Sequence, residues 1–448
     1  VDRQLAQPDG AVSPVDRWGV PIQGQSEQAA LLFSEATADL VLLRGLPSAD
    51  LEQAIETDPS APLPRIARAL LDLFAQTAVG RRAAIDRLEG LEAMIEPSST
   101  RERLHLQAAL AWSRGKLDVA ARFYDLALAR EPKDLLALRV GHDLAFFLGD
   151  ARNLRDVVGR VRHAWSEDDE LFSVVEGMHA FGLEENGDYR RAETTARAAL
   201  AAEPSDVWAH HALAHVFEME GRTVEGIEFL TGSAARWEES FFAVHNWWHL
   251  ALLEIEEGTL EAALGLYDGP VRRAESPEWL DLVDAASLLW RLSLLGVDVG
   301  ERAAALLPLV EDRLCDAISS FNDLHGLMIC SLAGREDLVD ALVAAAGSGE
   351  GSSQALVHSL VGGPLLEGFR AFGRSEYAAA VAELFSARAR ASMIGGSVAQ
   401  RDVVDLTLLA AALRSGDQGL AAALISERVE RKPSGAQGVA RLAAANSG

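Results

Sequence analysis

Apolar residues recur at spacings of three and four along nearly the whole chain, the period of helices that each bury one face. The pattern begins near Ser26, and glycines and prolines interrupt it where helices end and the chain reverses. Leu104, Ala108, Gly115, Ala120, Tyr124, Ala127 and Pro132 fall at the small, bulky and breaker positions of a tetratricopeptide unit, and Ala180, Gly187, Ala192, Ala199 and Pro204 repeat that pattern. The interval then settles at 38 residues: His211, His249, Ser287 and His325 share one phase, and Trp208, Asn246, Asp284 and Asn322 stand three residues before them. Gly221, Gly258, Gly296 and Gly334 follow at nearly the same interval. A fixed period of this size predicts an all-α solenoid of stacked helical hairpins, curled around a concave polar pocket. First helices are predicted over 205–220, 241–257, 279–295 and 317–333. Residues 1–25 read as an extended lead segment, 26–432 as a single solenoid and 433–448 as a flexible tail. The Gly/Ser-rich stretch from Gly347 to Ser353 reads as a plain connection in preference to a lid.

Composition narrows the function classes. Aromatic residues make up only 6% of the chain, and no β-branched runs bounded by turns compete with the helical reading. A formal charge of −26 repels nucleic-acid backbones and anionic lipid, and no basic stripe with interleaved aromatics offsets it. No apolar run reaches the roughly 18 residues of a membrane span. Two cysteines, Cys315 and Cys330, and an opening without a secretory pattern predict a reduced, cytoplasmic setting. Nucleotide loops, the dinucleotide glycine fingerprint and the Gly-x-Ser-x-Gly elbow are all missing, so no nucleotide cofactor is expected.

Candidate chemistry lies on the polar ladder. Five of the eleven histidines fall between His210 and His249. His211 and His215 are four apart, as are His245 and His249, so each pair occupies one face of its own helix. That spacing suits a divalent metal, with His211, His215, His249 and His325 as candidate ligands. His211, His249, Asp284, Asp323 and His325 are the candidate catalytic groups, because imidazoles and carboxylates can exchange protons near neutral pH. His215, Glu218, His245, Asn246, Ser287, Arg291, Asn322 and Arg401 complete a candidate binding surface. Each of these also has a structural reading: buried imidazoles can pack, asparagines can form ladders, and Gln400-Arg401-Asp402 can cap a helix.

The motifs Trp208-x-x-His211-x-x-x-His215-x-x-Glu218, His245-Asn246-x-Trp248-His249, Asp284 to Arg291, Asn322-Asp323-x-His325 and Gly395 to Asp402 resemble those of the tetratricopeptide repeat protein 38 family. The resemblance runs from Asp16 to Pro433. It implies an all-helical cytoplasmic repeat protein whose first helices line a groove, and it implies no particular activity. Two functions follow as expectations. One is a small-molecule enzyme of the hydrolase or lyase class, using acid/base or metal-assisted chemistry. The other is a scaffold that takes a peptide or protein partner in its groove, with homo-oligomerisation left open.

Overall fold

The computed structural model describes residues 14–272, 276, 278–314, 316–347 and 352–446. Its regular elements there are helices, and a single isolated bridge joins Val15 and Pro21 in the lead segment. The helices pair as antiparallel hairpins. Examples are Phe172–Glu184 with Tyr189–Ala202, Val207–Glu220 with Thr223–Ser233, and Ser320–Leu332 with Glu336–Ala345. The predicted first helices are found at Val207–Glu220, Ala243–Glu257, Trp279–Leu294 and Ser320–Leu332, within three residues of the expected bounds. Gly221 ends the first of these in the left-handed region, at φ 66°, which an L side chain enters only at a cost.

The two helices of a hairpin bury different amounts of themselves. In Val207–Glu220 every residue from Val207 to Glu218 is buried, whereas its partner Thr223–Ser233 buries only Gly226, Leu230 and Ser233. A helix buried on all sides must have something covering its inner face. Here an early helix and a late one provide that cover. The helix Glu27–Leu42 lies against Leu135–Phe147, and its C-terminal end accepts the Trp208 indole N–H at the Val41 carbonyl, 2.8 Å away. From the other side Val398–Arg414 packs on Trp279–Leu294 and touches Val207–Glu220.

The array also closes on itself. Asn322 donates to Gln76 at 3.3 Å, the Ala78 amide to Asp316 at 3.0 Å, and the Ser353 hydroxyl to the Gly115 carbonyl at 2.7 Å. Contacts between residues more than 230 positions apart thus seal a seam between early and late hairpins. Residues 1–13 of the lead segment lie outside the described residues, and the rest of it is fixed, since the buried Asp16 carboxylate pairs with Arg101 at 2.8 Å and Val20 is buried.

One expectation is corrected. The stretch read as a flexible tail contains the helix Ala436–Asn446, and Asn446 is buried, donating to the Leu294 carbonyl at 2.9 Å and accepting from Arg414 at 2.6 Å. These partners are distant in sequence, so a local pattern cannot reveal them. Most of the Gly347 to Ser353 connection and Cys315 lie outside the described residues, while Cys330 is a buried core residue. Among the described residues no helix is long and apolar enough to cross a membrane.

Candidate functional site

The two four-residue histidine spacings converge. His211 and His215 project from Val207–Glu220, His245 and His249 from Ala243–Glu257, and the ligand-capable ring nitrogens lie within 4.8 Å of one another. Ring centroids are 4.5 Å apart for His211 and His215, 4.4 Å for His215 and His249, and 4.7 Å for His245 and His249. None of the four exposes more than 3% of its surface.

Carboxylates stand behind three of the rings. His245 Nδ1 is 2.8 Å from Asp284, His249 Nδ1 is 2.9 Å from Glu218, and His215 Nδ1 lies 3.2 Å from Glu184. A carboxyl oxygen that accepts from Nδ1–H, as in the Asp284 and Glu218 pairs, fixes the proton there and leaves Nε2 as a bare lone pair, whereas the Glu184 contact with His215 is not aligned as a hydrogen bond. His211 has no such neighbour and is packed among Phe181, Phe242 and Trp208. Burial, reinforced by the neighbouring imidazoles, pushes His211 and His249 well below the ordinary histidine range. Burial also lowers His215, to about 4, against the opposing pull of Glu185 and Glu218. The same burial raises Glu184 to about 8 and Glu185 and Glu218 to about 7. The imidazoles of His211, His215 and His249 are therefore neutral at pH 7, the form in which a ring nitrogen can take a proton or bind a cation.

Beside this cluster is a cavity of about 800 Å³, bordered by His211 and His245. Its wall is rich in aromatic rings, among them Phe74, Trp112, Phe181, Trp208 and Phe242. Polar groups enter it mainly as internal pairs. Arg68 bonds Asp72 at 2.6 Å, and Arg139, stacked on Trp208, meets Asp143 at 2.8 Å. Burial raises Asp143 and Asp281 to about 6.

Other predicted residues have different places. Ser287 accepts a hydrogen bond from Arg291, and Arg291 donates to the Ala399 carbonyl at 2.7 Å. Arg291 therefore anchors the Val398–Arg414 helix and is not an anion partner in the cavity. Arg401 likewise does not close the cavity: it bonds the Gly396 carbonyl and approaches Glu185 at 3.6 Å, leaving Gly396, Ser397 and Gln400 on the cavity wall. Ser397 and Gln400 form a capping box, as the structural reading of this motif expects. Asn322 borders the cavity, and Asn246 is buried with neither side-chain polar atom hydrogen-bonded.

The proposed metal set is corrected at one position. His325 bonds the Phe321 carbonyl through Nδ1 at 2.8 Å and stands outside the four-imidazole group, where His245 takes its place. Asp323 lies apart too, beside Ser320 and His358, and is raised to about 7 by burial and by Asp316. Equal phase aligns residues along the stack, but packed helix axes are about 8–10 Å apart, so only adjacent helices can share one centre. Glu184 was missed by the sequence reading, although it stands three residues before Gly187 as Glu218 stands before Gly221.

Fold and site together define a closed all-α helical-repeat protein with a buried histidine and carboxylate centre beside an aromatic cavity. No family model matches the chain. Among solved structures it is similar to the crystal structure of a Rap protein complexed with competence and sporulation factor, at 13% identity and a TM-score of 0.40, covering 81% of this chain and 98% of that one. A likeness this distant says nothing about the site.

Proposed function

We propose that this protein is an enzyme acting on a small, largely apolar molecule held in the aromatic cavity, with the four-imidazole cluster as its chemical centre. The observation that carries the reading is the place of His211 and His245 on the cavity wall, where a ring oriented by Asp284 meets space for a ligand. Neutral imidazoles suit proton abstraction or water activation, which keeps hydrolysis and elimination as the reaction classes. Aromatic walls favour an apolar body, and the paired Arg139 and Asp143 offer hydrogen bonds to a polar end. The motifs resembling the tetratricopeptide repeat protein 38 family contribute much of this surround, from Trp208 to Glu218, from His245 to His249 and at Gly395 to Gln400. A cytoplasmic setting belongs to the same proposal.

The scaffold reading needs an open groove for a peptide. Against it stands the cover that Glu27–Leu42 and Val398–Arg414 lay over the first helices. Incubating the purified chain with a metabolite extract and following the mixture by mass spectrometry separates the two. The enzymatic reading expects small apolar compounds to be consumed by the wild type and spared by His245→Ala at unchanged melting temperature. Retention of peptides without consumption of any compound would establish the scaffold instead.

A further inference from the structure

We propose that His211, His215, His245 and His249 are the ligands of one first-row transition-metal dication of the zinc class, with Asp284 and Glu218 orienting two of them. The proposal stands independently of catalysis, since an ion bound here would be real even if the chain turned nothing over.

The first argument concerns lone pairs. With Nδ1 committed to Glu218, His249 is left with a buried Nε2 that has no hydrogen-bond partner, and neither ring nitrogen of His215 has one. Both nitrogens of His211 are buried and unpartnered as well. Several bare nitrogen lone pairs facing one another without a donor repel, and a cation at their centre turns that repulsion into four bonds. Packing alone gives no reason for the arrangement, because leucines would fill the same space without buried polar atoms.

The second argument is metric. Tetrahedral zinc bonds of about 2.0–2.1 Å set ligand nitrogens about 3.4 Å apart. Ring nitrogens that already lie within 4.8 Å of one another need to move inward by no more than about 0.9 Å each. Side-chain torsions supply such a shift without displacing the helices. A pair of ligands one turn apart on each of two adjacent helices also supplies four donors with no long loop to order.

Donor chemistry selects the ion. Four imidazole nitrogens suit zinc, copper, nickel or cobalt, whereas magnesium and calcium require oxygen ligands. Carboxylate to histidine to metal relays are the usual outer shell of such centres, and two of the four rings here, His245 and His249, have one. Two of the four rings, His211 and His245, also border the cavity, so the ion would sit directly behind its wall.

The test uses the full chain purified without an affinity tag. Elemental analysis should find about one transition-metal ion per chain, and after chelation Co²⁺ should restore one equivalent with the intense visible bands of a tetrahedral site. His249→Ala should lose the ion. Asp284→Asn, which keeps size and hydrogen bonding, should bind it about 10- to 100-fold more weakly. Exposed His163, replaced by alanine, should change nothing. The inference fails if the wild type neither carries metal nor develops a Co²⁺ spectrum, or if a His211→Ala/His249→Ala variant binds the same amount. The Co²⁺ titration of wild type decides the question even where the alanine variants do not fold.

Discussion

A hydrogen bond between two buried side chains shows most directly how the interior is held. The Trp290 indole donates to the Thr407 hydroxyl at 2.8 Å, and Thr407 in turn donates to the Val403 carbonyl at 2.7 Å. Thr407→Val keeps the shape and strands the indole N–H, which should lower unfolding free energy by about 1–3 kcal/mol in urea titration. At this same scale the sequence was informative about side-chain type and silent about direction. The spacings of His211 with His215 and His245 with His249 showed that each pair shares a face, and they do. Nothing local could show that Arg291 turns to a carbonyl 108 residues away and not toward the cavity. Glu184 was legible in principle from its place before Gly187, but a lone Glu-Glu pair at a helix end usually signals only a solvated turn.

Among elements, Val398–Arg414 is the one on which the interior depends, and its partner Gln418–Arg431 holds it from outside. Arg428 reaches back to Asp402 through two bonds of 2.6 and 2.9 Å. Burial alone would raise the Asp402 carboxyl, but the Arg428 guanidinium overrides it and holds the group at about 2, below its ordinary 3.8. A depressed carboxyl stabilises the folded state fully above its unfolded value and loses that contribution as pH falls through its folded value. Melting temperatures of wild type and Asp402→Asn should therefore differ most above pH 4 and converge as the pH is lowered toward 2. If the difference persisted at pH 2, the pairing would not be its source. Helix bounds were readable to within a few residues because glycines and prolines punctuate them. The docked helix Ala436–Asn446 was not, because what orders it is the distant Leu294 carbonyl and Arg414.

At the scale of the whole molecule, the solenoid's character came from the 38-residue interval, while its closure came from contacts that no interval encodes. One contact depends on the absence of a side chain. A methyl group added at Gly149 would sit 1.7 Å from the Ser392 carbonyl oxygen, and Gly149 is also left-handed at φ 63°. Across the same junction a methyl at Gly395 would meet the Phe147 carbonyl at 2.6 Å. Gly149→Ala should then cost at least about 1–3 kcal/mol, since both conformation and contact are violated. Its effect should reach the cavity, where Gly395 and Gly396 form part of the wall. Weakened binding of an apolar fluorescent probe, alongside a lower melting temperature, is the expected signature.

The hydrogen bond between Asn322 and Gln76 has an evolutionary corollary. Open repeat arrays drift in length, because a unit inserted or lost leaves every remaining interface intact. In a ring the arc must arrive where it began, so losing residues 259–296 would leave Gln76 facing the wrong neighbour. Descendants of this architecture should accordingly hold their number of hairpins constant and confine insertions to the outer turns.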